Sequence, residues 1–270
     1  RRAWGLDLGG ALTIVALRQG EAKGREGANM RASDHAGMVR RLSPELWRRL
    51  QDACSEIIEV PAGTRITKAG ESIARSALLL DGLIVRNATD GVRQAQMVAL
   101  QVPGDFVDLH GLPLGRLDHD VLAVSPARLA LFPHKALLEI VEDSAEDARA
   151  LWALTMIDAS IHRHWTFRMG QLRALAGLAN FLCEMGLRME LCGRSREGRF
   201  ALPLTQSQMA EACGLSGVHA NRTLRELREA GLCVVRDGEV QFLDRAETAR
   251  IGRFDPGFLF LPWEGASGPA

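Results

Sequence analysis

Between residues 204 and 235 the spacing of apolar positions changes twice, and each change marks an element. Thr205 offers a hydroxyl cap to a short helix over 206–213, in which Met209, Ala210 and Cys213 recur at helical steps. Gly214 stops that helix and Ser216 caps a second one, whose buried stripe is read as Val218, Ala220, Leu224 and Leu227 and which Gly231 ends. Ala210, the turn glycine four residues later and Ala220 ten residues later match the needs of a helix-turn-helix. These are close helix approach, a left-handed turn residue and an inward contact. Two alternating runs, 232–236 and 239–242, flank Asp237-Gly238, a hairpin signal, so the pattern predicts a winged helix-turn-helix. An ordinary helical hairpin inside a larger core has the same spacing, and the wing weighs against it.

Upstream the pattern is shorter. A helix over 45–54, capped by Ser43-Pro44, is followed by apolar or alternating runs at 57–60, 78–80, 83–85, 97–102, 121–124 and 128–132. Pro61-Ala62-Gly63, Gly70, Asp81-Gly82, Gly91 and Pro103-Gly104-Asp105 punctuate them, the signature of a β-sandwich, roll or barrel. Helical spacing then returns, with a short helix over 135–142, a cap at Ser144 and a long helix over 145–169. Leu151, Leu154, Asp158, Ile161 and Trp165 form a heptad-like seam on it, while Trp152, Met156 and Ile157 lie off the seam. The expectation is a helix that faces its own β-domain and a partner chain at once; a simply buried helix shows the same periodicity. A further helix over 172–191 leads through a Gly/Arg-rich loop, 192–198, into the helix-turn-helix, and a short helix over 244–251 precedes a folded-back tail.

The expected division is 1–29 as a disordered or artefactual extension, 42–142 as the β-domain, 143–170 as the dimerisation helix, 171–262 as the winged helix-turn-helix and 263–270 as a disordered tail. Met30 reads as the start of the patterned chain.

Composition adds that the chain is globular, with 47% hydrophobic and 24% charged residues among 270. Formal net charge is +0, but it is unevenly spread. Residues 100–158 carry ten acidic and four basic side chains, whereas 160–236 carry eleven basic and six acidic ones. The basic surplus therefore accompanies the helix-turn-helix, where phosphates would need it. Cys54, Cys183, Cys192, Cys213 and Cys233 are odd in number with no CxxC pair, and read as packed cytosolic thiols, not a metal site. No apolar run approaches the ~20 residues of a membrane helix. No nucleophile–base pair, metal spacing or phosphate loop points to an enzyme, and no catalytic residue, cofactor or metal is expected.

A β-roll, a long helix and a winged helix-turn-helix in this order resemble the Crp/Fnr superfamily of bacterial transcription regulators. The resemblance spans about 42–261 and is most specific in LTQSQMAEACGLSGVHANRTLRELREAGL, with PGDF as weaker support. It implies an α+β fold: an N-terminal antiparallel, jelly-roll-like β-roll of the cyclic-nucleotide-binding type, a long dimerisation helix and a C-terminal DNA-binding domain. It also implies a cytoplasmic homodimer on a palindromic operator, paired through Leu151, Leu154, Asp158, Ile161 and Trp165. An activator of this type would also contact RNA polymerase, and the roll would sense a small-molecule effector.

The expected DNA-binding set is Gln206, Ser207, Ser216, Gly217, Val218, His219, Asn221, Arg222 and Arg225, of which Gly217, Val218, Asn221 and Arg222 are the positions where the family's base-contacting residues fall. Relatives often have Glu where this chain has Val218, so the family's familiar half-site does not transfer. The stretch DLHGLPLGRLDHDVLAV places His119-Asp120 where the family's Arg-Ser pair holds a cyclic phosphate, and the N-terminal cysteine cluster of the iron–sulfur relatives is missing. The effector pocket is expected around Phe106, Asp108, His110, Arg116 and His119, with Arg116 its single fixed cation, so the expectation is either an uncharged or cationic effector, not cyclic AMP, or regulation by abundance alone. The alternative is a β-roll interaction protein whose helix-turn-helix contacts protein instead of DNA.

Overall fold

The computed structural model describes residues 30–89 and 95–261. The expectations for 1–29, for Gly91 and for 263–270 lie outside the described residues.

After 3-10 turns at Ala32–Asp34 and Gly37–Arg41, helix α1 (Pro44–Ala53) starts where the Ser43 hydroxyl accepts the Leu46 amide. The β-roll follows as two antiparallel sheets. One has the order β1 (Glu56–Val60), β7 (Ala127–Pro133), β3 (Arg75–Asp81); the other has the order β2 (Arg65–Thr67), β6 (Asp120–Ala123), β4 (Ile84–Thr89), β5 (Ala95–Gln101). Alternation explains why β3 and β7 read as continuous apolar runs. Ala77, Leu79, Leu129 and Leu131 fill the space between the sheets, while Leu78, Leu80, Ala130 and Phe132 belong to a second core shared with the helices. A strand apolar on both faces is buried on both faces. Strand β2, three residues long, had no sequence signal.

The single turn α2 (Gly111–Leu114) interrupts the roll, and α3 (His134–Asp143) leaves it. Ser144 caps the long helix α4 (Ala145–Gln171), its hydroxyl accepting the Asp147 amide at 3.1 Å. Leu151, Leu154, Ile161 and Trp165 are all buried in the chain's own core, and Asp158 is paired with Arg86 of β4 at 2.6 Å. The seam expected to pair two copies therefore faces the roll and α5 (Ala174–Leu191). The outward stripe is instead Trp152, which is 63% exposed, Met156 and Phe167, with Ala159 and Arg163 between them at helical steps.

The loop expected at 192–198 instead forms the first strand and turn of a hairpin, β8 (Ser195–Arg196) and β9 (Arg199–Ala201), which extends the wing sheet. Helices α6 (Gln206–Ala212) and α7 (Gly217–Glu229) follow, then the wing strands β10 (Cys233–Arg236) and β11 (Glu239–Phe242) and helix α8 (Arg245–Ile251). A 3-10 turn at Pro256–Leu259 packs back on α4, where Phe258 stacks on His164 at 3.8 Å. Among the described residues no helix is long and apolar enough to cross a membrane.

Candidate nucleic-acid interface and roll cavity

Local chemistry fixes the helix pair at every end. Thr205 and Gln208 form a capping box at the start of α6, with the Gln208 amide donating to Thr205 Oγ1 at 3.2 Å and the Thr205 amide to Gln208 Oε1 at 2.8 Å. At its end Gly214 takes φ +64°, the Leu215 amide reaches the Ala210 carbonyl at 2.8 Å and the Gly214 amide reaches Glu211 at 3.1 Å. That is a Schellman stop, and it sets the turn angle. The Ser216 hydroxyl then caps α7, accepting the His219 amide at 3.3 Å. A second such stop closes α7 at Gly231, with Leu232 N donating to Leu227 O at 3.0 Å. Asp237 and Gly238, at φ +52° and +76°, make the primed hairpin turn of the wing.

Helix α7 buries Ala220, Thr223 and Leu227 and half-buries Leu224. Val218 does not join that stripe and is 84% exposed. It lies two residues from Ala220, about 200° around a helix of 3.6 residues per turn, so both cannot face inward. Thr223, three residues after Ala220, takes the inward place, its hydroxyl donating to the His219 carbonyl at 2.9 Å.

The outward face carries Gly217, Val218, Asn221, Arg222 and Arg225, with Ser216 at its start, His219 at its margin and Arg228 at its far end. Gln206 and Ser207 are exposed on the first turn of α6. Arg222 approaches Glu226 at 3.6 Å, both exposed, a contact worth little in water. Arg225 and Arg228 have no ion-pair partner among the described residues. The face is thus a row of donors free to meet acceptors.

The expected effector pocket divides. Phe106 and His110 line a cavity of about 30 Å³ between the roll and α4, along with Met38, Arg86, Gln101, Asp105, Leu154 and Asp158. That is room for a couple of waters. Asp108 is buried away from it, accepting the Ala77 amide at 2.7 Å, and burial pushes its carboxyl up to about 7. Arg116 is exposed and does not line the cavity. His119 is buried beside His110, ring centroids 5.3 Å apart, and its Nδ1 meets Asp118 at 2.7 Å. Burial lowers both histidines, His110 to about 4.

Sequence reasoning missed the cation that matters. Arg86 is fully buried and donates from Nε to Val107 O at 2.8 Å and from Nη1 to Asp158 at 2.6 Å. Arg116 is therefore not the roll's single candidate cation. A polar residue within an apolar run, as in Leu83-Ile84-Val85-Arg86, was the available signal.

A two-sheet roll joined through long helices to a capped helix-turn-helix with a wing is the architecture of a transcription regulator. The model of the Crp-like helix-turn-helix domain matches residues 178–250. The transcriptional activator protein FnrL of Cereibacter sphaeroides is 25% identical over 175 residues, 63% of this chain and 69% of FnrL. The structure of FixK2 from Bradyrhizobium japonicum superposes with a TM-score of 0.66 at 20% identity, covering 73% of this chain and 96% of FixK2. TTHB099, a CRP-family transcriptional regulator from Thermus thermophilus, gives 0.60 at 16% identity, covering 73% and 96%. Residues 178–250 thus match the Crp-like helix-turn-helix family, and in sequence and fold the chain resembles Crp/Fnr-type transcription regulators.

Proposed function

We propose that the protein reads a palindromic DNA operator as a homodimer, with α7 in the major groove. The observation that carries this is the outward face of α7, where Asn221, Arg222, Arg225 and Arg228 stand as donors on a helix anchored at both ends. Amide and guanidinium groups match adenine and guanine edges, and the remaining arginines match phosphates. Pairing of two copies uses the outward stripe Trp152, Met156 and Phe167 of α4, an apolar row that a monomer would leave in water.

Selection of bound sequences from random DNA by the purified protein tests the reading. A palindromic consensus should emerge, and affinity for it should fall steeply between 50 and 200 mM salt, as it does for proteins with several phosphate contacts. Arg222→Ala should lose about 1–3 kcal/mol of discrimination at one base pair, whereas Arg228→Ala should weaken all sequences alike. Equal loss on operator and random DNA for Arg222→Ala would contradict the assignment.

Cyclic nucleotides are not the effector in this reading. The buried cation Arg86 is already met by Asp158, and the cavity is far smaller than a nucleotide. An anion placed there would face Asp105 and Asp158. Titration calorimetry with cyclic AMP and cyclic GMP should show no saturable binding at micromolar concentrations.

A further inference from the structure

Val218 is the most exposed large apolar side chain among the described residues, at 84%, and it stands alone. Its neighbours on the same face, three, four and seven residues on, are Asn221, Arg222 and Arg225. A docking surface for protein needs a contiguous apolar patch of several hundred Å², and a single valine among hydrogen-bond donors does not make one. The fold makes no use of it either, since Ala220, Thr223 and Leu227 fill the inward positions. Just before it, Gly217 adds no side chain, and a Cβ built there would meet nothing within 4 Å. The backbone at Gly217 has an ordinary negative φ, so packing does not require glycine at this position. The start of α7 is therefore flat around Val218 and open to close approach.

A lone apolar spot among acceptors is what a thymine presents in the major groove, where its 5-methyl group sits beside O4 and the neighbouring base edges. We infer that Val218 is a specificity-determining residue that seats against the 5-methyl group of a thymine, so that each half-site carries a thymine next to the base pairs read by Asn221 and Arg222. Three residues of helix rise about 4.5 Å, and successive bases rise about 3.4 Å, so Val218 meets the base step adjacent to theirs. This inference rests on the DNA-reading function proposed above.

The probe is the selected operator with its thymines replaced one position at a time, in both half-sites, by uracil, which lacks only the methyl group. Binding of the full chain and of Val218→Ala is measured by fluorescence anisotropy. The side chain is on the surface, so the variant folds as the parent does. For the parent, one thymine position next to the Arg222 contact should lose about fourfold in affinity per half-site, the factor that burial of one methyl-sized group is worth. For Val218→Ala the same replacement should change affinity by well under twofold. Indifference of the parent to uracil at every position, or undiminished methyl dependence in Val218→Ala, overturns the inference while leaving DNA reading intact. A selection that yields no consensus overturns the DNA-reading function itself, and this inference with it.

Discussion

Single side chains in this protein are placed by tertiary demands that composition does not show. Asp108 and His110 lie two residues apart, and burial moves them in opposite directions, the carboxyl up to about 7 and the imidazole down to about 4. For Asp108 the folded value exceeds the unfolded one, so its contribution to stability is full below about pH 4 and is lost as pH rises to about 7. For His110 the folded value lies below the unfolded one, so its contribution is full above about pH 6.5 and is lost as pH falls toward 4. Between those limits the folded pair keeps its proton on the carboxyl and the unfolded pair keeps it on the imidazole. The two slopes cancel. Asp108→Asn removes one of them, so its stability in denaturant titrations should rise more steeply with pH from 4 to 6.5 than the parent's, to whose slope the pair adds nothing. Relative to the variant, the parent should lose at most about 4 kcal/mol by pH 7, and parallel profiles would contradict the assignment. None of this was legible in DLHGLPLGRLDHD, where both residues read as pocket lining. Arg86 was missed for the same reason, because its partner Asp158 lies 72 positions away.

Elements were more legible than residues wherever a local rule determined them. The capping box at Thr205, the stops at Gly214 and Gly231 and the Asp237-Gly238 turn are local chemistry, and the helix-turn-helix and its wing follow the expected boundaries within a residue or so. Strands β2 and β8–β9 escaped because runs of two or three residues rich in arginine carry no periodicity. Helix α4 is the instructive error. It is apolar on two sides, and period alone cannot say which side meets its own roll and which meets another copy. The larger, more regular seam went to the intramolecular core, leaving Trp152, Met156 and Phe167 outside. The two faces therefore separate under mutation. Trp152→Glu or Met156→Glu should weaken self-association at least tenfold in sedimentation experiments while leaving the unfolding midpoint nearly unchanged. Leu154→Glu should destabilise the monomer by several kcal/mol, because it buries a charge without a partner. If Trp152→Glu sediments as the parent does at every concentration, the outward stripe is not the pairing surface.

At the scale of the whole molecule, the boundaries drawn from sequence at 142 and 170 cross a continuous interior. One apolar cluster runs from Leu46 and Leu78 through Leu154 and Phe181 to Leu227 and Val240. A buried polar chain runs alongside it. Glu184 on α5 accepts from Trp165 at 3.1 Å, from Arg168 at 2.6 Å and from Arg188 at 3.1 Å. Arg188 reaches Asp105 and the Leu100 carbonyl of the roll, and Arg168 reaches the Ala212 carbonyl at the end of α6. Such a network adds little net stability compared with a well-packed apolar core, but breaking it strands a charge, at about 3–5 kcal/mol. Burial pushes Glu184 up, yet the two arginines outweigh that and hold its carboxyl below the usual range, so its contribution persists above about pH 4 and is lost as acid titrates it. The roll and the helix pair are therefore expected to unfold as one unit. A urea titration should give coincident transitions for a probe on the roll and a probe on α7. Glu184→Gln, which keeps the acceptor oxygen for Trp165 but leaves Arg168 without its counter-charge, should lower both midpoints together by an amount equivalent to about 3 kcal/mol. Two separated transitions in the parent, or a loss confined to one probe in the variant, would show that the network does not join the two halves.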